Sequence, residues 1–156
     1  MGRVFGIVLG IDPGASGGLA WMRGGKISSV RMPKSDQEIL KSLEKLTPPS
    51  LPRPVVYVEQ LTGFVGRTNP GARMFKFGKG YGFLLGVLFT LQWDVKFVTP
   101  SVWQKSLGIG TKGERKPQEW KRVLKDEAQR LFPSQKVTLA TADALLILRF
   151  GIEKEN

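Results

Sequence analysis

The sequence contains no cysteine and no histidine. Without thiols there are no disulfides and no thiolate metal sites, and a reducing compartment is compatible with that. Without imidazole, the usual base near neutral pH and the commonest nitrogen ligand are both missing. Any metal must then sit on oxygen donors, which suits Mg²⁺ or Mn²⁺. Acid is scarce too: 13 Asp and Glu stand against 24 Lys and Arg, a formal net charge of +11. No run reaches the roughly 18 apolar residues that span a bilayer. Met1 to Gly10 lacks the long apolar core of a signal peptide. The expectation is an intracellular chain, in bacterial or phage-infected cytoplasm or an organelle matrix, with no membrane partner.

What is present suits one folded unit. The 156 residues are 41% hydrophobic, enough for a single domain over 1–156 with its own core. The Pro-rich stretch Thr47 to Pro54 is too short to be an interdomain linker and reads as a helix-to-strand turn. The positive charge is spread through sequence that reads as folded, not gathered in a low-complexity tail. No basic amphipathic helix with a clean apolar face stands out, so a nucleic-acid surface is favoured over a membrane surface.

Val4 to Ile11 is an apolar run that predicts a central strand, ended by the turn signal Asp12-Pro13-Gly14. Gly17–Met22 and Ile27–Met32 flank Gly24-Gly25 and predict a hairpin. Ser35 and Glu38 form a capping box before a helix with Ile39, Leu40, Leu43 and Leu46 at helical spacing. Pro48 and Pro49 stop it. Val55–Val58 predicts a strand, and Leu61–Arg73 a Gly-rich exposed loop. Phe75–Leu91 predicts a helix whose Gly78, Gly82 and Gly86 share one face. Each glycine costs about 1 kcal/mol there relative to alanine, which suggests close approach of another backbone, from a partner helix or the chain's own sheet. Val95–Val98 predicts a strand, and Pro100–Leu107, Gln118–Leu131 and Thr141–Phe150 predict helices. Three antiparallel strands followed by α/β units argue for a mixed five-stranded sheet flanked by helices.

Three acids occupy suggestive positions. Asp12 and Glu59 follow apolar runs, where a buried strand delivers a side chain to the sheet's end. Asp143 lies in the first turn of the last helix. A cluster of this kind can hold two cations about 4 Å apart for phosphodiester hydrolysis. Taken singly, Asp before Pro-Gly is a common turn residue, and an acid suits any helix N-terminus. The three together, in so basic a chain, shift the balance toward a metal site.

Ile-Asp-Pro-Gly at 11–14, Val-Glu-Gln at 58–60 and Ala-Asp-Ala-Leu-Leu-Ile at 142–147 resemble the three acidic motifs of the RuvC family of Holliday-junction resolvases. The Lys76–Gly86 segment, Val-Thr-Pro-Ser-Val-Trp-Gln-Lys at 98–105 and Leu-Phe-Pro at 131–133 look like the plastid, phage and bacterial branch. The resemblance covers nearly the whole chain and keeps the motif order. It implies an RNase H-like fold, a homodimer, and Mg²⁺-dependent paired incisions in four-way junction DNA. By motif position Asp12, Glu59 and Asp143 are the catalytic metal-binding acids, with two Mg²⁺ (Mn²⁺ as substitute) per site. One departure matters: the family supplies a fourth acid shortly before the last one, and 136–142 here has none. Ala140, one helical turn before Asp143, is the expected place. Either a distant acid such as Glu127 substitutes, or three acids suffice, or an acid has been replaced by Ala and cleavage is weakened.

Lys112 and Lys116 are the candidates for stabilising charge at the scissile phosphate. Lys76, Lys105, Arg115 and Lys121 are candidate phosphate contacts, with Arg122 and Lys125 continuing on the same helix. For the helix cations an ordinary solvated face is the stronger alternative. Phe64 is a candidate wedge between bases at the junction centre, or an inward-folded core residue. Arg67 and Arg73 beside it would hold phosphates or base edges. The rival functions are a non-catalytic binder of branched DNA and an RNase H-like nuclease acting on structured RNA.

Overall fold

The computed structural model describes residues 6–61 and 71–156. Strand β1 (Val8–Asp12) is followed by the hairpin β2 (Gly18–Arg23) and β3 (Lys26–Arg31). Gly24 and Gly25 form its two-residue turn with φ of 56° and 77°, the left-handed pair that a tight hairpin needs. Helix α1 (Asp36–Leu46), strand β4 (Val55–Glu59), helix α2 (Gly71–Thr90) and strand β5 (Asp94–Val98) follow. The chain continues through α3 (Pro100–Ser106), α4 (Pro117–Leu131) and α5 (Ala142–Glu155).

The five strands form one mixed sheet in the order β3-β2-β1-β4-β5. The first three pair antiparallel, and β4 and β5 pair parallel to β1 and to each other. Both faces are covered, so the central strands read as continuous apolar runs. On one face Leu9, Ile11, Val56 and Val58 pack with Leu43 and Leu46 of α1 and Leu84 and Leu88 of α2. On the other, Val8, Ala20 and Tyr57 pack with Trp103 of α3, Trp120 and Leu124 of α4, and Leu145 to Leu148 of α5. Asp12 shares the parity of Val8, and Glu59 that of Tyr57. Both acids therefore point to the α5 face.

Two expectations are corrected. First, α2 begins at Gly71, so Arg73 lies in its first turn and not on a loop. Second, α5 runs past Phe150 to Glu155. Gly151 inside the helix serves packing: a Cβ there would sit 2.6 Å from the Tyr57 ring. Of the two alternatives left for Gly78, Gly82 and Gly86, packing on the chain's own sheet is not what the fold shows. A Cβ at each would meet nothing among the described residues within 4 Å, and Phe75 and Phe89 on the same helix are 73% and 55% exposed.

Candidate active site

The acids are assembled by strand register and one helix. Ile11 and Val58 are partners across the parallel β1–β4 ladder, so the next residues, Asp12 and Glu59, end adjacent strands on the same face. Helix α5 lies directly on β1, because Gly10 has no side chain. A Cβ at that position would collide with the carbonyl of Ala144 and the backbone of Leu148. Close contact brings the first turn of α5, with Asp143, over the same sheet end. Thr138 and Thr141 fix the entry: the Thr138 N–H donates to Thr141 Oγ1 at 3.0 Å, and the Ala142 N–H to the Thr138 carbonyl at 3.0 Å.

Burial disfavours the charge on all three carboxylates, and acidic neighbours add to the rise of Asp12 and Glu59. Burial pushes Asp12 up to about 8, the negative charges of Asp143 and Glu59 add to the rise, and Lys121 opposes it. Burial raises Glu59 to about 7; the Trp103 indole opposes that shift and Asp143 reinforces it. Asp143 is raised to about 6 by burial, again against Lys121. Buried charge without a cation is costly. Oxygen-only donors with surplus negative charge fit a hard divalent ion in kind and charge. Their side chains are not gathered into a closed cage, since among the described residues no three acids converge as a ready ligand set.

Neighbouring groups frame the site. Trp103, fully buried in α3, donates its indole N–H to Glu59 Oε2 at 3.0 Å. From the other face Phe77 of α2 lies 3.1 Å from where a Gly14 Cβ would be, stacked on Tyr81 with ring centroids 6.2 Å apart. Tyr81 is raised by burial and by the Glu59 charge, against a hydrogen bond with the Leu61 backbone. A Cβ at Gly18, the cross-strand partner of Asp12, would lie 2.6 Å from the Ala140 carbonyl. The Ala140 backbone thus lies against the strand partner of Asp12. Glu127 is ion-paired to Arg130 at 2.8 Å on α4 and is not among the groups that act on the three acids.

The cations divide. Lys121, on α4, is the one that acts on Asp12 and Asp143. Lys112 and Lys116 are exposed before that helix, as Lys105 is on α3. Arg115, also exposed, folds back on its own loop: its guanidinium lies 5.5 Å from the Trp120 ring and donates to the carbonyls of Thr111 and Lys112 at 3.1 and 3.4 Å. Arg73 and Lys76 are exposed on the first turns of α2. Phe64 and Arg67 lie outside the described residues. Sequence reasoning missed Trp103, whose indole N–H is a lone donor seeking a partner when buried. It also ranked Lys121 below the loop lysines.

No protein-family model and no curated protein matches this sequence. Among solved structures, one of Thermus thermophilus RuvC aligns over 91% of this chain and 90% of its own, with a TM-score of 0.55 and 22% identity. T. thermophilus RuvC in complex with Holliday junction substrate aligns over 92% and 90%, with a TM-score of 0.56 and 21% identity. The likeness spans both sheet and helices, and the chain has the RuvC-like variant of the RNase H-like fold.

Proposed function

We propose that the chain is a Holliday-junction resolvase, a metal-dependent endonuclease that makes paired incisions in four-way DNA junctions. One observation carries this reading: at one sheet end buried Glu59 and part-buried Asp12 and Asp143 are raised by desolvation well above the ordinary carboxylate range, with acidic neighbours adding to the rise of Asp12 and Glu59. The RuvC-like fold and the net charge of +11 support it. Asp12, Glu59 and Asp143 would hold two Mg²⁺ or Mn²⁺, which when bound supply an activated water and a counter-charge for the leaving oxygen. Lys121 is placed to balance negative charge beside these acids. Lys105, Lys112, Lys116 and, on α2, Arg73 and Lys76 would bind phosphates around the cut strand, with Phe64 and Arg67 as candidate contacts at the junction centre. Arg115 orders the loop carrying Lys112 and Lys116. Two cuts across a junction need two sites, and a homodimer through the open glycine face of α2, bordered by exposed Phe75 and Phe89, supplies them.

The test is binding and cleavage of a synthetic four-way junction beside matched duplex and structured RNA, with Mg²⁺, Mn²⁺ or chelator. Paired symmetric nicks in the junction alone are expected. Equal action on duplex or on RNA would overturn the reading in favour of an RNase H-like RNA nuclease. The missing acid at Ala140 favours a second reading, a branched-DNA binder with weak or no cleavage. Junction binding without nicks, together with cleavage gained by Ala140→Asp, would select it.

A further inference from the structure

The most constrained polar contact of the acidic site joins two side chains 44 residues apart. Glu59 is 8% exposed and Trp103 is fully buried, and the indole N–H reaches Glu59 Oε2 at 3.0 Å. Its placement is built by the fold. Strand β5 ends in register with β4, Glu59 opposite Val98, and the Gln60 N–H closes the ladder on the Val98 carbonyl at 2.8 Å. Thr99-Pro100 then starts α3 at once, and the Thr99 carbonyl accepts from the Val102 and Trp103 N–H groups at 3.1 and 3.2 Å. The indole is thereby seated one turn beyond the strand end, wedged into the cluster that includes Leu145 and Leu146 of α5.

An indole N–H only donates. It can hold one carboxylate oxygen, cannot compete as a base, and leaves the other oxygen free. We propose that Trp103 is a positioning residue that pins Oε2 of Glu59 and presents Oε1 to the divalent cation of the site. The inference rests on the reading of Glu59 as a metal-binding acid. It extends the site to the Val-Trp-Gln segment of α3 and gives that helix a task beyond packing. Partners behind a ligating carboxylate typically change metal affinity by about 10–100-fold when removed.

The experiment is Mn²⁺ binding to the full chain without DNA, by calorimetry, with junction cleavage followed in parallel. In one variant, Trp103→Phe keeps an aromatic ring and loses the N–H. In a second, benzothienylalanine replaces Trp103, putting sulfur in place of the N–H with nearly unchanged shape. Both are expected to weaken Mn²⁺ binding by at least roughly 10-fold, while the isostere keeps the thermal midpoint of the unmodified protein. Combined with Glu59→Gln, the isostere is expected to cause no further loss, since the indole acts on the cation only through the charged Glu59 carboxylate. Unchanged Mn²⁺ affinity in the isostere, or losses that add with Glu59→Gln, overturns the role. If the unmodified protein binds Mn²⁺ but does not cut junctions, the resolvase reading fails and the binding series still decides on Trp103. If it binds no Mn²⁺, both fall together.

Discussion

Asp12, Glu59 and Asp143 titrate in the folded protein near 8, 7 and 6, against ordinary values of 3.8, 4.5 and 3.8. Between those limits the native state binds more protons than the unfolded chain, so stability falls as pH rises. The contribution of these groups is fully present below about pH 4 and is lost as pH climbs through 6 to 8. In chelator, calorimetry is therefore expected to show a melting temperature that drops from pH 5 to 8.5. Asp12→Asn should flatten that drop and raise the midpoint at pH 8, by roughly 2–4 °C for each kcal/mol of repulsion relieved. Identical pH profiles for the two proteins would refute the electrostatic account. The lysines make a second contrast. Lys121→Ala is expected to slow cleavage by about 100-fold with little change in junction affinity, by analogy with other preorganised charge stabilisers. Lys112→Ala should instead weaken binding and lower the salt slope by about one. Single-turnover kinetics beside binding titrations separate the two. The three acids were legible because strand ends and a helix start announce themselves in sequence. Lys121 was not: its relation to Asp12 exists only once α4 has docked, and in sequence it is one cation among many.

Among the elements, α5 and α2 use glycine in opposite ways. Gly10 lets α5 rest on β1, and Gly10→Ala is expected to cost about 1–3 kcal/mol or more through overpacking. Urea denaturation would measure that loss, and the displacement of Asp143 should appear as weaker Mn²⁺ binding. The glycines of α2 face open space. Gly82→Ala should stabilise the isolated chain by up to about 1 kcal/mol while weakening self-association, read by light scattering across a dilution series. A stabilised variant that self-associates as strongly as the parent would remove this face from the dimer. These two helices also mark where sequence reading stopped short. The first turn of α2 has no acid and begins at a glycine, so nothing local announces a helix there. The expected end of α5 is Phe150, yet the helix continues through Gly151 because Glu155 is tied to the sheet. Its carboxylate accepts from the Tyr57 hydroxyl at 2.7 Å and from Lys96 at 2.6 Å. Such ties between positions 57, 96 and 155 exist only in the folded chain.

For the molecule as a whole, the two-sided sheet was readable from its unbroken apolar strands, whereas the face taken by each acid emerged only with the packing of the helices. The net charge of +11 sets the expected binding behaviour: log affinity for a junction should fall linearly with log salt, by roughly 0.9 for each phosphate neutralised. A salt-independent affinity would argue against phosphate contacts as its source. The order of the chain adds a consequence in time. Helix α5 packs on β1, β2, β4, α3 and α4, and it follows all of them in sequence. While the chain is still being synthesised, the strands bearing Asp12 and Glu59 emerge long before the helix that brings Asp143. Until α5 clears the ribosome, the nascent chain carries Asp12 and Glu59 without the third acid, so the site cannot be completed before that helix is made.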